Sequence, residues 1–410
     1  MQKPTTDYPL NRRISRRLAV LGGVSAAAVL VAGCHAHRSQ PSARGLAALD
    51  TSGGNSLRFA ASSNGLLTGF AVAMEPLRHD AEYARIVREQ SSILVAENAM
   101  KRAQLQPESN RYVWDDADFV IAFAEKHRIK ARGHTLVWHE GIPAWLQRAL
   151  NRESARRLMV DHIRTVVSRY AGRIHSWDVV NEAIATQQCR PDGLRRTPWL
   201  SLVGDDYLEL AYRTAREADP AALLTYNEDG LDTEGPEAEA KRAATLLLLR
   251  RLKARNVPID AVGLQAHLTA SPGQQYGAGL QRFLASCRSL DLQVFVTEMD
   301  VDDRILPGSV EARDYAVAQV YRDYLAVVLP DPAVRAVLTW GLTDRSTWLN
   351  DKSLRGDGLP QRPLLFDPEY RPTPAYAAVR DAFQNRAVFG KISNPVQNYD
   401  PIRPSYRPSY

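Results

Sequence analysis

Two apolar runs in this chain each end in a glutamate. Ser176-Trp177-Asp178-Val179-Val180-Asn181-Glu182-Ala183 reads as a buried strand that stops abruptly in an Asn-Glu pair, and Val294-Phe295-Val296-Thr297-Glu298-Met299-Asp300 repeats the pattern. Two carboxylates delivered in this way can cleave a glycosidic bond: one, as an acid, protonates the leaving oxygen, and the other attacks the anomeric carbon or activates water. A lone Glu beside an Asn is ordinarily solvated or caps a helix. The repetition at a second strand end is what points to chemistry.

Positioning two such groups requires a scaffold, and the rest of the sequence supplies one. Apolar β-type runs alternate with longer amphipathic segments, the pattern of βα units and a parallel sheet. Eight runs stand out: Leu66 to Ala73, Ser92 to Asn98, Ile129 to His139, Ile174 to Glu182, Ala222 to Glu228, Ala261 to His267, Gln293 to Glu298 and Ala333 to Asp344. Between them lie helical segments such as Ser154 to Tyr170, whose Leu158, His162, Ile163, Val166 and Tyr170 share one face, and Ala238 to Asn256. The predicted fold is α/β, a (β/α)8 TIM barrel, in which chemistry is built at the C-terminal ends of the strands. Those ends are Glu97-Asn98, His134 to His139, Asn181-Glu182, Asn227-Glu228, Gln265 and His267, Glu298, and Trp340 to Trp348. They are polar or aromatic almost throughout, whereas the strand starts show nothing comparable.

With 410 residues, 45% of them hydrophobic, the chain can bury a large core. Its net charge of +6 resides at the ends: residues 1–40 carry six of the 52 basic and one of the 46 acidic residues, and residues 386–410 carry four and one. The middle holds 42 basic against 44 acidic residues, which gives no electrostatic reason to bind nucleic acid. No dinucleotide or phosphate loop appears, so no cofactor is expected.

Arg12-Arg13 and Ser15-Arg16-Arg17 precede an apolar run from Leu18 to Ala32, and residues 1–34 read as an export signal. The run is too short and too rich in Ala and Gly for a permanent span. Val31-Ala32-Gly33-Cys34 resembles a lipobox and Arg16-Arg17 a twin-arginine signal. The expectation is export to the periplasm or cell surface with membrane attachment through a lipid on Cys34; the alternative is a soluble secreted protein cut near this point. Residues 35–56, rich in Ser, Gly, Ala and Pro, read as a flexible linker, 57–386 as the catalytic domain, and 387–410 as a Pro/Tyr-rich tail that cannot build a core. Cys189, in a loop, and Cys287, on a helix, are expected to remain separate thiols, and the chain is expected to act as a monomer.

The order Glu97-Asn98-Ala99-Met100-Lys101, Arg132-Gly133-His134-Thr135-Leu136-Val137-Trp138-His139, Trp177-Asp178-Val179-Val180-Asn181-Glu182, Gly263-Leu264-Gln265-Ala266-His267, Thr297-Glu298-Met299-Asp300 and Trp340-Gly341 resembles glycoside hydrolase family 10, the endo-β-1,4-xylanases. The resemblance runs from about Gly65 to Phe383, and several motifs in order make it specific where one alone would be weak. It implies a retaining mechanism on xylan or xylo-oligosaccharides, with Glu182 as acid/base and Glu298 as nucleophile. Glu298 must stay ionised, and a hydrogen bond from His267 to its charged form would lower its pKa. Glu182 must begin protonated. The resemblance further implies that Asn181 bonds the sugar 2-hydroxyl, that Glu97, Asn98, Lys101, His134 and Trp138 contact the glycone, that Gln265 and His267 line the site, and that Trp340 and Trp348 stack on sugar rings.

Two departures bear on specificity. Trp138-His139-Glu140-Gly141 stands where the family usually has Trp-His-Ser-Gln, and Tyr226-Asn227-Glu228-Asp229 replaces the more usual Asn-Asp-Tyr. The amide that would contact the second glycone sugar is therefore missing, and a carboxylate at Glu140 offers only acceptors in its place. A related β-glycanase or xylo-oligosaccharide hydrolase is the nearest alternative, and a carbohydrate-binding barrel without catalysis is the alternative of another class. Trp114, Trp177 and Trp199 read as core. His134, His139 and His267 raise a metal site, but His134 and His139 lie an odd number apart on one predicted strand and should face opposite sides, so no metal is expected.

Overall fold

The computed structural model describes residues 49–386. The segment read as an export signal, Cys34 and the residues read as a C-terminal tail lie outside the described residues. Among the described residues nine strands form: β1 (Leu67–Val72), β2 (Ile93–Ala96), β3 (Lys130–Val137), β4 (Ser176–Asn181), β5 (Leu223–Glu228), β6 (Ala261–Leu264), β7 (His267–Thr269), β8 (Gln293–Asp302) and β9 (Val334–Thr339). All pair in parallel, β1 to β6 in chain order, then β6 on β8, β8 on β9, and β9 back on β1. The result is the closed eight-stranded (β/α)8 barrel that the alternating runs predict.

One predicted strand is divided. Ala266, at φ +58°, breaks the run from Ala261 to His267, and the short β7 beyond it pairs outside the ring with the extension of β8, His267 opposite Asp300. This places His267 beside the end of the strand that carries Glu298.

Inside the barrel, Ala71, Ile93, Val95, Ala261, Phe295, Ala336, Leu338 and Trp340 form one buried cluster. Its members on β2 and β9 sit two residues apart, as the pleat requires. Trp340 thus continues the inward face of β9 into the barrel mouth. The larger core lies between strands and helices; the helix Ala155–Arg169, for example, turns Met159, His162, Ile163, Val166 and Val167 inward. Each such aliphatic side chain contributes about 1.5–3 kcal/mol of burial.

Residues 49–56, read from the sequence as the end of a linker, are packed onto the barrel. Ser56 caps the helix Leu57–Ser62, Gln90 donates to Thr51 O at 2.8 Å and Tyr376 donates to Asn55 O at 3.1 Å. Polar composition points to a linker, but backbone carbonyls can be tied down by side chains distant in sequence. Trp177 and Trp199 are fully buried and Trp114 packs against the core, as predicted; Cys189 and Cys287 are both free.

Candidate active site

The site lies where the strands lose their regular register. Irregularities occur between His134 and Val137 on β3, between Asp178 and Val180 on β4, and between Val296 and Met299 on β8. Strict alternation would send adjacent side chains to opposite faces, whereas an irregularity re-aims them. Thr297 and Glu298, neighbours in sequence, accordingly both reach Asn227: the Thr297 hydroxyl donates to Oδ1 at 2.7 Å and Nδ2 donates to Glu298 Oε1 at 2.6 Å. Room for Asn227 comes from Gly263, where a Cβ would stand 2.0 Å from its Oδ1. The alternation argument for His134 and His139 fails for the same reason, and His139 lies beyond the end of β3. The two histidines approach different glutamates, His134 Nδ1 4.0 Å from Glu298 and His139 Nδ1 3.8 Å from Glu182.

Glu298 is 5% exposed. Besides Asn227 it meets His267 Nε2 at 3.2 Å, and His267 Nδ1 lies 2.8 Å from Asp300, whose other oxygen accepts Trp348 Nε1 at 2.7 Å. Burial pushes the Glu298 carboxyl up, but the His267 hydrogen bond, the charges of His134 and His267 and the Asn227 amide outweigh it and hold the group below its ordinary value. Burial likewise opposes protonation of His267, yet Asp300 and Glu298 drive its pKa well above the usual imidazole value. The sequence expectation of a carboxylate kept ionised by His267 matches this arrangement.

Glu182 is surrounded by neutral donors. Asn181 Nδ2 and Gln265 Nε2 both donate to Oε1 at 3.0 Å, and Trp138 Nε1 donates to Oε2 at 3.0 Å. The two glutamates are connected through amides, since Asn181 Oδ1 accepts from Asn227 at 2.9 Å. Glu182 also adopts a left-handed backbone, φ +57°, a conformation that costs a residue with a side chain about 1–2 kcal/mol.

The remaining predicted residues line the same mouth. Lys101 donates to Asn98 Oδ1 at 2.9 Å and sits 5.5 Å from the ring centres of both Trp138 and Trp340. Burial lowers its pKa, against the carboxylates of Glu298, Glu97, Glu182 and Glu140. Burial raises that of Glu97, opposed by Lys101 and Asn98. Trp340 stands edge-on to His134 at 5.2 Å, and Trp348 lies 5.1 Å from His267. His134 Nδ1 is fixed at 3.0 Å by Asp178, which in turn pairs with Arg132, both fully buried. Breaking such a pair by removing one partner costs about 3–5 kcal/mol.

Sequence reading did not assign roles to Asn227, Asp178, Asp300 or Arg195. Asp178 carried a signal, an acid in the middle of an apolar strand, where an unpartnered charge is not tolerated. Asn227 and Asp300 stood in motifs already quoted. Arg195 comes from a loop that shows no pattern. Among the described residues, no group of three or more His, Cys, Asp or Glu side chains is placed to hold a metal ion.

A parallel barrel with two glutamates at its mouth, joined by amides and walled by tryptophans, is the framework of a two-carboxylate glycoside hydrolase. The family profile described as Glycosyl hydrolase family 10 matches residues 56–382, and the chain belongs to that family. It is 36% identical over 313 residues to the endo-1,4-beta-xylanase B of Thermotoga neapolitana, covering 75% of this chain and 85% of that protein. Native xylanase 10B from Thermotoga maritima superposes with a TM-score of 0.73 at 34% identity, covering 80% of this chain and 98% of that one. Xylanase 10B from Thermotoga petrophila RKU-1, solved in complex with xylobiose, gives 0.72 at 33% identity, covering 80% and 97%.

Proposed function

We propose that this chain is a retaining endo-1,4-β-xylanase in which Glu298 is the nucleophile and Glu182 the acid/base. The observation that carries the division of labour is the asymmetry between the two carboxyl groups: Glu298 meets His267 at 3.2 Å and the Asn227 amide at 2.6 Å, contacts that lower its pKa, while Glu182 faces only amide and indole donors at hydrogen-bond distance. Glu298 attacks the anomeric carbon as Glu182 protonates the departing oxygen. Once the ester has formed, Glu298 no longer carries charge, and Glu182 takes a proton from water, which opens the ester with retention. Asn181, between the two, bonds the 2-hydroxyl of the reacting sugar. Glu97, Asn98, Lys101, His134 and Trp138 hold the glycone, and Trp340 and Trp348 cover its apolar faces. Relatives named endo-1,4-beta-xylanase and a related structure holding xylobiose support xylan as the substrate.

A polymer of this kind is met outside the cell. Export by the twin-arginine route, attachment through a lipid on Cys34 and action as a monomer complete the proposal, supported by Arg16-Arg17 and Val31-Ala32-Gly33-Cys34.

The test is reducing-sugar release from xylan by the full chain, with the first-formed anomer of a xylo-oligosaccharide product followed by proton NMR. Release with β product first is expected. An α product first would make the second carboxylate a base rather than a nucleophile, and equal rates on mixed-linkage glucan would remove the xylan assignment.

The environment of Glu298 also sets the pH profile. Attack requires the ionised form, so the rate is full above the Glu298 pKa and lost as pH falls through it. Because that pKa is lowered, the acid limb of kcat/KM lies below the ordinary glutamate range. His267→Ala removes the largest lowering influence, and the acid limb is expected to move to higher pH; an unmoved limb would detach His267 from the nucleophile.

A further inference from the structure

A left-handed residue with a side chain persists only when its surroundings dictate it. At Glu182 that constraint comes from side chains on both sides of the turn. Arg195 donates Nε to Glu182 O at 2.7 Å and Nη2 to Ile184 O at 3.3 Å, and its own amide donates to Ala183 O at 2.6 Å. One residue therefore holds three consecutive carbonyls. Opposite it, Glu228 Oε2 accepts the Ile184 amide at 2.9 Å together with the Tyr226 hydroxyl.

Glu228 is fully buried, and its second oxygen lies 3.0 Å from Nζ of Lys241 on the helix Pro236–Ala254. The same ammonium reaches Asp229 Oδ1 at 2.5 Å, and Arg195 Nη2 approaches that oxygen at 4.0 Å. Burial drives the Glu228 carboxyl up to about 8, with Lys241 the main opposing charge. Without the ammonium, no charge of that size opposes burial, and the oxygen that accepts the Ile184 amide loses the partner that fixes its carboxyl group.

We propose that Arg195, Glu228 and Lys241 are positioning residues for the carboxyl group of Glu182, a role that rests on the reading of Glu182 as the acid/base. Among the described residues, none of their side-chain hydrogen bonds or ion pairs runs to β8, which carries Glu298. They act on the backbone of residues 182–184 and so on where Glu182 aims its proton. Loss of the device impairs proton delivery and leaves nucleophilic attack in place.

Aryl β-xylobiosides of graded leaving-group ability read this difference in kcat/KM, which reports the first irreversible step. In the full chain, Lys241→Met is expected to lose roughly tenfold with a phenol that needs a proton, and less than about twofold with dinitrophenolate, which does not. KM is expected to stay nearly constant, and Lys241→Arg to recover most of the loss. An equal loss across the series would mark a merely structural role and overturn the proposal, as would no loss at all. Should Lys241→Met fail to fold, Arg195→Met is read by the same criterion. Glu182→Gln on the same series separates the two readings: uniform loss there rejects Glu182 as the acid. Selective loss there with uniform loss in Lys241→Met rejects only the positioning device.

Discussion

Glu298→Gln is expected to lose on the order of 10⁵-fold in kcat/KM, by analogy with removal of other covalent nucleophiles, and to lose it equally on xylan and on dinitrophenyl β-xylobioside. Attack is common to both substrates, so leaving-group ability cannot rescue the variant. The fold should survive. A glutamine carbonyl can stand where Glu298 Oε1 accepts the Asn227 amide, and its NH2 then faces His267 Nε2. A donor facing a donor is unfavourable, so His267 should give up its second proton more readily, although Asp300 still binds Nδ1. The imidazole resonances at neutral pH are expected to shift accordingly, while circular dichroism stays unchanged. Trapping the wild-type ester with a 2-deoxy-2-fluoro-xylobioside and locating it by peptide mass gives the direct check. A label on any residue other than Glu298, or activity within about a hundredfold of wild type, would remove Glu298 from its role.

The parts of this site legible in the sequence were those that obey a period or end a run. All eight apolar runs became strands of the ring, and the inward face of β9 delivers Trp340 by simple alternation from Ala336 and Leu338. Glu182 and Glu298 were visible because a charge at the end of a buried strand adds nothing to apolar packing and must be held by partners. What escaped depended on departures from the period. The irregularities on β3, β4 and β8 decide that Thr297 and Glu298 both meet Asn227, and no count of alternating residues reveals them. Arg195 escaped for another reason: its work is done on carbonyls, which every residue has, so neither its type nor its neighbours identify the partner. The division of the sixth run at Ala266 was hidden in the same way. Alanine carries no sign of a positive φ, yet that turn is what brings His267 back to Glu298.

The loss in Glu182→Gln should depend on the bond being broken. On xylan, whose leaving group is a sugar alcohol, general acid catalysis is worth roughly 10²–10⁴-fold, and that range is the expected loss. With dinitrophenyl β-xylobioside, kcat/KM should remain close to wild type, because the leaving group departs without a proton. Its kcat should nevertheless fall, since water must still be deprotonated to open the ester, and the covalent intermediate should accumulate as a burst of dinitrophenol. Glutamine is also an imperfect replacement, because both oxygens of Glu182 accept from fixed donors, Asn181 and Gln265 on one and Trp138 on the other. Its NH2 group must face one of them. Glu182→Ala avoids that conflict and leaves space for azide, which needs no base and should restore turnover on the activated substrate by forming the β-xylobiosyl azide. Recovery with β configuration ties Glu182 to the proton and Glu298 to the carbon, because azide can enter from the face Glu182 occupied only if the ester lies on the other. An α-azide would mean that azide displaces dinitrophenolate directly, in a single inversion and in place of the removed carboxylate, and the two glutamates would have to exchange roles.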